Sequence, residues 1–168
     1  NDTIYSGVAI SATTDNDWVS AGAGNDLVYT GTGNDTVDGG SQNDTIYGED
    51  GNDYLYGNSQ ADVLWGGNGN DTIDGGSEDD KIDSGSGDNT LIGGSGNDTI
   101  TAYEGVDNIN AGAGNDVVNA GAGADSIIGE ARATGEQIVR EAEDQRNRTL
   151  AQLEKERSGL EHKIDELR

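Results

Sequence analysis

Gly66-Gly67-Asn68-Gly69-Asn70-Asp71-Thr72-Ile73-Asp74 is one unit of a nine-residue period, and Gly93-Gly94-Ser95-Gly96-Asn97-Asp98-Thr99-Ile100-Thr101 repeats it three periods later. Outward from these two stretches an aspartate stands at every ninth place: Asp17, Asp26, Asp35, Asp44, Asp53, Asp62, Asp71, Asp80, Asp98, Asp107, Asp116 and Asp125, with Asn89 the one lapse. Two residues after each comes an aliphatic, in order Val19, Val28, Val37, Ile46, Leu55, Leu64, Ile73, Ile82, Leu91, Ile100, Ile109, Val118 and Ile127, so the register holds through thirteen units. A repeat of nine is too short to be a domain and has to be one rung of a stack. In Gly39-Gly40-Ser41-Gln42-Asn43-Asp44-Thr45-Ile46-Tyr47 the first six residues are turn formers and the last three favour extended backbone. Each unit is therefore expected to be a turn and a short strand.

Charge narrows what such a stack can do. The chain has 33 acidic and 9 basic residues. From Glu130 onward lie 10 of the acids and 8 of the bases, which leaves 23 acids against Lys81 alone in the repeats, a formal charge of −22. Such a segment repels itself out of any compact state at neutral pH. With few aromatics and no Phe or Met, it would read as disordered but for its periodicity. Cations held between the carboxylates remove the contradiction. Oxygen donors, without Cys and with the single His162 outside the repeats, select Ca²⁺ over zinc or copper. The acidic surface excludes nucleic acid. Every repeat aspartate is used by the lattice, so no nucleophile and base pair emerges, and no enzyme is expected.

The pattern Gly-Gly-x-Gly-x-Asp-x-aliphatic-x resembles the RTX calcium-binding nonapeptides over roughly residues 17 to 129. The resemblance implies an all-β repeat, a right-handed parallel β-roll with two nonapeptides per turn, in which residues eighteen apart stack about 4.8 Å apart. Two aspartate columns follow, one on each edge: Asp17, Asp35, Asp53, Asp71, Asn89, Asp107, Asp125, and Asp26, Asp44, Asp62, Asp80, Asp98, Asp116. The family likeness implies several Ca²⁺ ions between successive turns, held by these aspartates and by loop carbonyls. The carbonyls are those of Gly31, Gly33, Gly51, Gly67, Gly69, Gly85, Gly87, Gly94, Gly96, Gly112, Gly114, Gly121 and Gly123. The aliphatic rows would point inward and fill a narrow core.

Departures from the pattern are informative. The fourth place of a unit usually needs a left-handed backbone, which costs a non-glycine residue roughly 1–2 kcal/mol, yet Asp15, Gln42, Gln60 and Glu78 stand there. Weak, remodelled or empty sites are expected beside Asp44, Asp62 and Asp80. The other edge keeps Gly33, Gly51, Gly69, Gly87 and Gly105 but loses a carboxylate at Asn89, and Tyr103 replaces a glycine in a third irregular loop. Discounting the doubtful gaps leaves about six to ten ions. Outward places put Tyr29, Tyr47 and Trp65 in one file, beside Leu27 and Val63. That file reads either as a surface for a polysaccharide or a neighbouring domain, or as a ladder that only stabilises adjacent rungs.

Both ends change character. Asp2 lies fifteen residues before Asp17, so residues 1–16 are expected to form an irregular first rung, lengthened or bulged around Val8 and Ile10. Residues 130–168 read as a helix in which Leu150, Leu153, Leu160, Ile164 and Leu167 alternate at spacings of three and four, a short coiled-coil seam with Arg157 in it. Self-association through 131–168, or docking to another coiled coil, is the expected use. The stretch from Arg148 resembles the coiled-coil part of DivIVA-type scaffold proteins, which work in the cytoplasm, and the combination suggests a chimera. No secretory signal or membrane-spanning run is present in the sequence. The RTX resemblance implies an extracellular or cell-surface protein leaving by type I secretion. The expected function is a calcium-dependent, non-catalytic structural or adhesive module; the alternative is the accessory module of a secreted epimerase, lipase or protease.

Overall fold

Burial alternates along each unit, and that alternation makes the strands. In Thr72-Ile73-Asp74-Gly75 the isoleucine and Gly75 are buried while Thr72 and Asp74 are half-exposed, the period-two pattern of a half-buried strand. The computed structural model describes residues 3–5, 10–11 and 16–129. The chain divides into two units, Asn1–Glu130 and Ala131–Arg168; the expected helix, its leucine seam and the DivIVA-like stretch all lie outside the described residues.

The strands are β1 (Thr3–Tyr5), β2 (Ile10–Ser11), β3 (Trp18–Ala23), β4 (Leu27–Tyr29), β5 (Thr36–Ser41), β6 (Thr45–Asp50), β7 (Tyr54–Ser59) and β8 (Val63–Asn68). They continue with β9 (Thr72–Ser77), β10 (Lys81–Ser86), β11 (Thr90–Ser95), β12 (Thr99–Thr101), β13 (Asn108–Ala113), β14 (Val117–Asn119) and β15 (Ser126–Gly129). Odd-numbered strands form one sheet in the order β1-β3-β5-β7-β9-β11-β13-β15, and even-numbered strands the other, from β2 to β14. All pairs are parallel and consecutive units alternate between sheets, so the fold is a parallel β-solenoid with two nonapeptides per turn. Val19 pairs with Val37 and Val37 with Leu55, eighteen residues apart, and the same offset continues to Ile127.

Three expectations need correction. Most strands are six residues long rather than three. Pairing runs on through the glycines, with Gly22 opposite Gly40 and Gly76 opposite Gly94, and only the fourth to sixth places make the turn. At the amino end, Ile4 pairs with Val19 and Ile10 with Val28. The irregular first rung therefore enters both sheets and is three residues short of a full turn rather than lengthened. At the other end, Val118 is only partly buried and Ile127 is 54% exposed, because β14 and β15 are the edge strands and no described rung covers them.

Between the sheets lies a core one side chain deep. Val19, Val37, Leu55, Ile73, Leu91 and Ile109 from one sheet meet Val28, Ile46, Leu64, Ile82 and Ile100 from the other, all of them buried.

Candidate metal sites on the two edges

Each column aspartate ends a turn and folds its side chain into the stack. Asp26, Asp35, Asp44, Asp53, Asp62, Asp71, Asp80, Asp98 and Asp107 are all at least nine-tenths buried, as are Asp17 and Asn89, whereas Asp116 and Asp125 at the open end are partly exposed. Along the first column the N–H of Asp17 donates to Asp35 Oδ1, Asp35 to Asp53, Asp53 to Asp71, Asp71 to Asn89, Asn89 to Asp107 and Asp107 to Asp125, at 2.7–3.1 Å. The second column repeats this from Asp26 through Asp44, Asp62, Asp80 and Asp98 to Asp116 at 2.7–3.0 Å. The two files expected from the sequence are thus continuous, and from Asp35 in the first column and Asp44 in the second each Oδ1 is tied to the turn before it.

The second oxygen is not. Oδ2 of Asp26, Asp35, Asp44, Asp53, Asp62, Asp71, Asp80, Asp98 and Asp107 is buried with no hydrogen-bond partner. A buried carboxylate with an unpaired oxygen is a costly group. Burial pushes the carboxyls of Asp53, Asp62 and Asp80 up to about 7 and those of Asp44 and Asp71 up to about 6. The N–H bonds pull the other way, and neighbouring carboxylates add to the rise at Asp44, Asp53, Asp62 and Asp80. Either protons or cations have to neutralise these columns.

The first glycine of the motif answers to this carboxylate. Gly48 has an ordinary backbone, but a Cβ there would collide with Asp53 Oδ2 and with the Gly66 carbonyl oxygen. The fourth place has a different reason: at Gly51, with φ of 146°, a Cβ would fall on the carbonyl oxygen of Gly33 and lie 3.3 Å from Asp53 Oδ1. Carbonyls of Gly51, Gly69, Gly87, Gly96 and Gly105 lie in the same way beneath the next turn's glycine. A carbonyl of one turn and a carboxylate of the next therefore border a common cradle that only glycine leaves open. Its donors are all hard oxygens, which fit Ca²⁺. Not every glycine carbonyl named from the sequence is equally placed, since that of Gly31 already accepts the Asp50 N–H at 2.9 Å. Among the described residues no three acidic or histidine side chains converge on a single point, so a cation must take backbone oxygens as well as carboxylates.

The edge expected to be irregular is rebuilt. Gln42, Gln60 and Glu78 adopt φ of 80°, 74° and 73°, the left-handed region that their place demands. At Gly51 and Gly69 the N–H donates to the Asn68 and Ser86 carbonyls, whereas the Gln60 N–H donates to Glu78 Oε2 at 3.0 Å, which also accepts from Ser77 Oγ at 2.8 Å. Glu78 further raises the neighbouring Asp62 and Asp80. Sequence reasoning missed Glu49 and Asn58, which stand at the second place with φ of 71° and 73°; the glycine usual there was the available signal.

A second ladder runs outside the first. The N–H of Asn34 donates to Asn16 Oδ1, Asn52 to Asn34 and Asn70 to Asn52, at 2.7–2.9 Å. These bonds point back along the chain, where the aspartate bonds point forward. On the outer face of the even-numbered sheet Tyr29 and Tyr47 stack with ring centroids 4.7 Å apart, Tyr47 and Trp65 at 5.9 Å, and Lys81 Nζ lies 5.3 Å from the Trp65 ring.

The RTX calcium-binding nonapeptide repeat, as a family model of four copies, matches the chain in overlapping windows at residues 11–46, 29–64, 47–82, 65–100, 83–118 and 101–131. No curated protein matches it.

Proposed function

This chain belongs to the RTX calcium-binding nonapeptide repeat family, and from that membership we propose that its repeats form a scaffold whose folding is switched on by Ca²⁺. Calcium binding and a structural role follow from the family. The observation that carries the finer reading is the set of nine buried Oδ2 atoms without a partner, beside carbonyls aimed at the next turn. We assign the ions to the gaps between successive column residues. Asp17, Asp26, Asp35, Asp44, Asp53, Asp62, Asp71, Asp80, Asp98, Asp107, Asp116 and Asp125 are the proposed carboxylate ligands, and the fourth-place glycines the main carbonyl donors. The module is non-catalytic, with the roll at 17–129, an amino-terminal edge at 1–16 and an attachment or self-association segment at 130–168.

RTX repeats are typical of secreted proteins, and an extracellular site with abundant calcium suits this chain. No helix among the described residues is long and apolar enough to cross a membrane. The aromatic file serves as a ladder rather than a sugar platform: a sugar ring stacks on an aromatic face, and the facing surfaces of Tyr29, Tyr47 and Trp65 are occupied by one another.

Circular dichroism of the full chain in EGTA and in millimolar Ca²⁺ tests the proposal. The expected result is a largely unfolded repeat region in EGTA and β structure with calcium, accompanied by a blue shift of tryptophan emission as Trp65 enters the ladder. Equal β content in both conditions would refute it.

A further inference from the structure

Asn89 departs in one bond from the nine column aspartates whose Oδ2 is buried without a partner. Its Oδ1 accepts the Asp71 N–H at 2.8 Å and its own N–H donates to Asp107 Oδ1 at 2.8 Å, as an aspartate's would. Its second side-chain atom, however, has a partner: Nδ2 donates to the Gly87 carbonyl at 3.0 Å. The amide orientation is determined by these contacts. Rotated by half a turn, it would set an NH₂ against a donor N–H and an oxygen against a carbonyl. The residue is 2% exposed, so no solvent competes for either bond.

We infer that Asn89 is a built-in substitute for a cation. An aspartate has no donor to offer there: both its oxygens are acceptors, like the carbonyl two residues before it, and acceptors can be bridged only by a positive group or a donor. At Asn89 the carboxamide supplies that group itself, because its NH₂ donates to the Gly87 carbonyl while its oxygen keeps the ladder bond. The turn closes without metal, and it takes up Gly87, one of the carbonyls otherwise available in the gap toward Asp107. The first column is therefore two runs of calcium-dependent turns, Asp17 to Asp71 and Asp107 to Asp125, joined by a turn that is satisfied on its own. This inference rests on reading the columns as Ca²⁺ ligands.

Two measurements on the full chain test it. In calcium-loaded ¹⁵N-labelled protein, the Asn89 side-chain NH₂ signal, identified by its absence from an Asn89→Ala variant, is expected to exchange with solvent at least tenfold slower than a free carboxamide. Exchange at the free rate would overturn the inference, and this result does not depend on any aspartate variant folding. Asn89→Asp restores the carboxylate, and its bound calcium, counted by equilibrium dialysis and elemental analysis, is expected to exceed that of the parent chain by one or two ions. The calcium midpoint for folding should move upward as well. An unchanged count in a folded variant would overturn the inference while leaving the calcium scaffold intact. Failure of the parent chain to bind calcium would instead remove the reading on which it stands.

Discussion

Asp53 does two things that alanine and asparagine separate. Its Oδ1 accepts the buried Asp35 N–H at 2.8 Å, and its Oδ2 is the unpartnered oxygen assigned to calcium. Asp53→Ala removes both. Loss of a hydrogen bond to a charged acceptor costs about 1.5–3 kcal/mol, and the gaps toward Asp35 and toward Asp71 each lose a carboxylate, so bound calcium should fall by about one to two ions. Asp53→Asn removes the charge but keeps an acceptor for Asp35, and its NH₂ can reach the Gly51 carbonyl as that of Asn89 reaches Gly87. The two variants should therefore lose similar amounts of calcium, while the asparagine form, which leaves no buried N–H unsatisfied, stays more stable by about 1–3 kcal/mol in urea unfolding at fixed calcium. At 1.4 kcal/mol per decade this is roughly a five- to hundredfold difference in the unfolding constant. Calorimetric titration gives the ion count and circular dichroism the stability. Equal stability of the two variants would show that the Oδ1 ladder contributes nothing, and an unchanged ion count in both would detach Asp53 from calcium altogether.

Asp62→Ala, on the edge rebuilt around Gln60 and Glu78, should lose fewer ions than Asp53→Ala, and an equal or larger loss would contradict the asymmetry. Metal-free folding should be favoured by acid. With folded carboxyls near 7 at Asp53, Asp62 and Asp80 against an ordinary 3.8, the folded state binds more protons between those values, so stability falls as pH rises through that window. In calcium-free buffer the β signal should accordingly grow as pH is lowered from 8 to 5.5, and a flat or falling signal would sink this account. Leu64→Ala, at a position with 0% exposure in a core one side chain deep, should cost about 2–5 kcal/mol in the calcium-loaded form; a cost under about 1 kcal/mol would mean that neighbouring turns collapse into the space. Sedimentation of the full chain against one ending at Gly129, both in calcium, should show a concentration-dependent dimer only for the former, since each leucine of the 130–168 seam offers about 1.5–3 kcal/mol on burial. A dimer of the shorter chain would move association onto the roll.

The period carried most of the architecture. Nine-residue spacing of Asp and aliphatic, alternating between two sheets, was enough to predict both columns and both core rows, because a stack permits only one register that buries Val37 over Val19 and Leu55 over Val37. Strand length was not legible in this way. The paired glycines read locally as turn formers, yet parallel neighbours on both sides keep them in the sheets, a tertiary effect that single-residue propensity does not contain. The first rung was legible as irregular but not as shortened, because Asp-to-Asp counting has no means of recognising a turn three residues short. In the sites, the sequence singled out Asn89 as a missing charge but not as a donor, since the bond to Gly87 appears only when its side chain is placed between two turns. Glu78 was legible as a backbone irregularity and illegible as an acceptor for the turn before it.

The eighteen-residue offset also governs how a chain of this kind can change in length. Removing eighteen residues deletes one whole turn and leaves every later residue on its own sheet and in its own column. Removing nine transfers everything downstream to the opposite sheet. Between Tyr47 and Trp65 such a loss would carry the indole away from the ring it stacks on, and upstream of Asn89 it would move the amide onto the edge of Gln60 and Glu78. Length in this fold is therefore counted in pairs of units, and the rung of Ile4 and Ile10, three residues short, departs from that count while keeping both of its strands in register with the next turn.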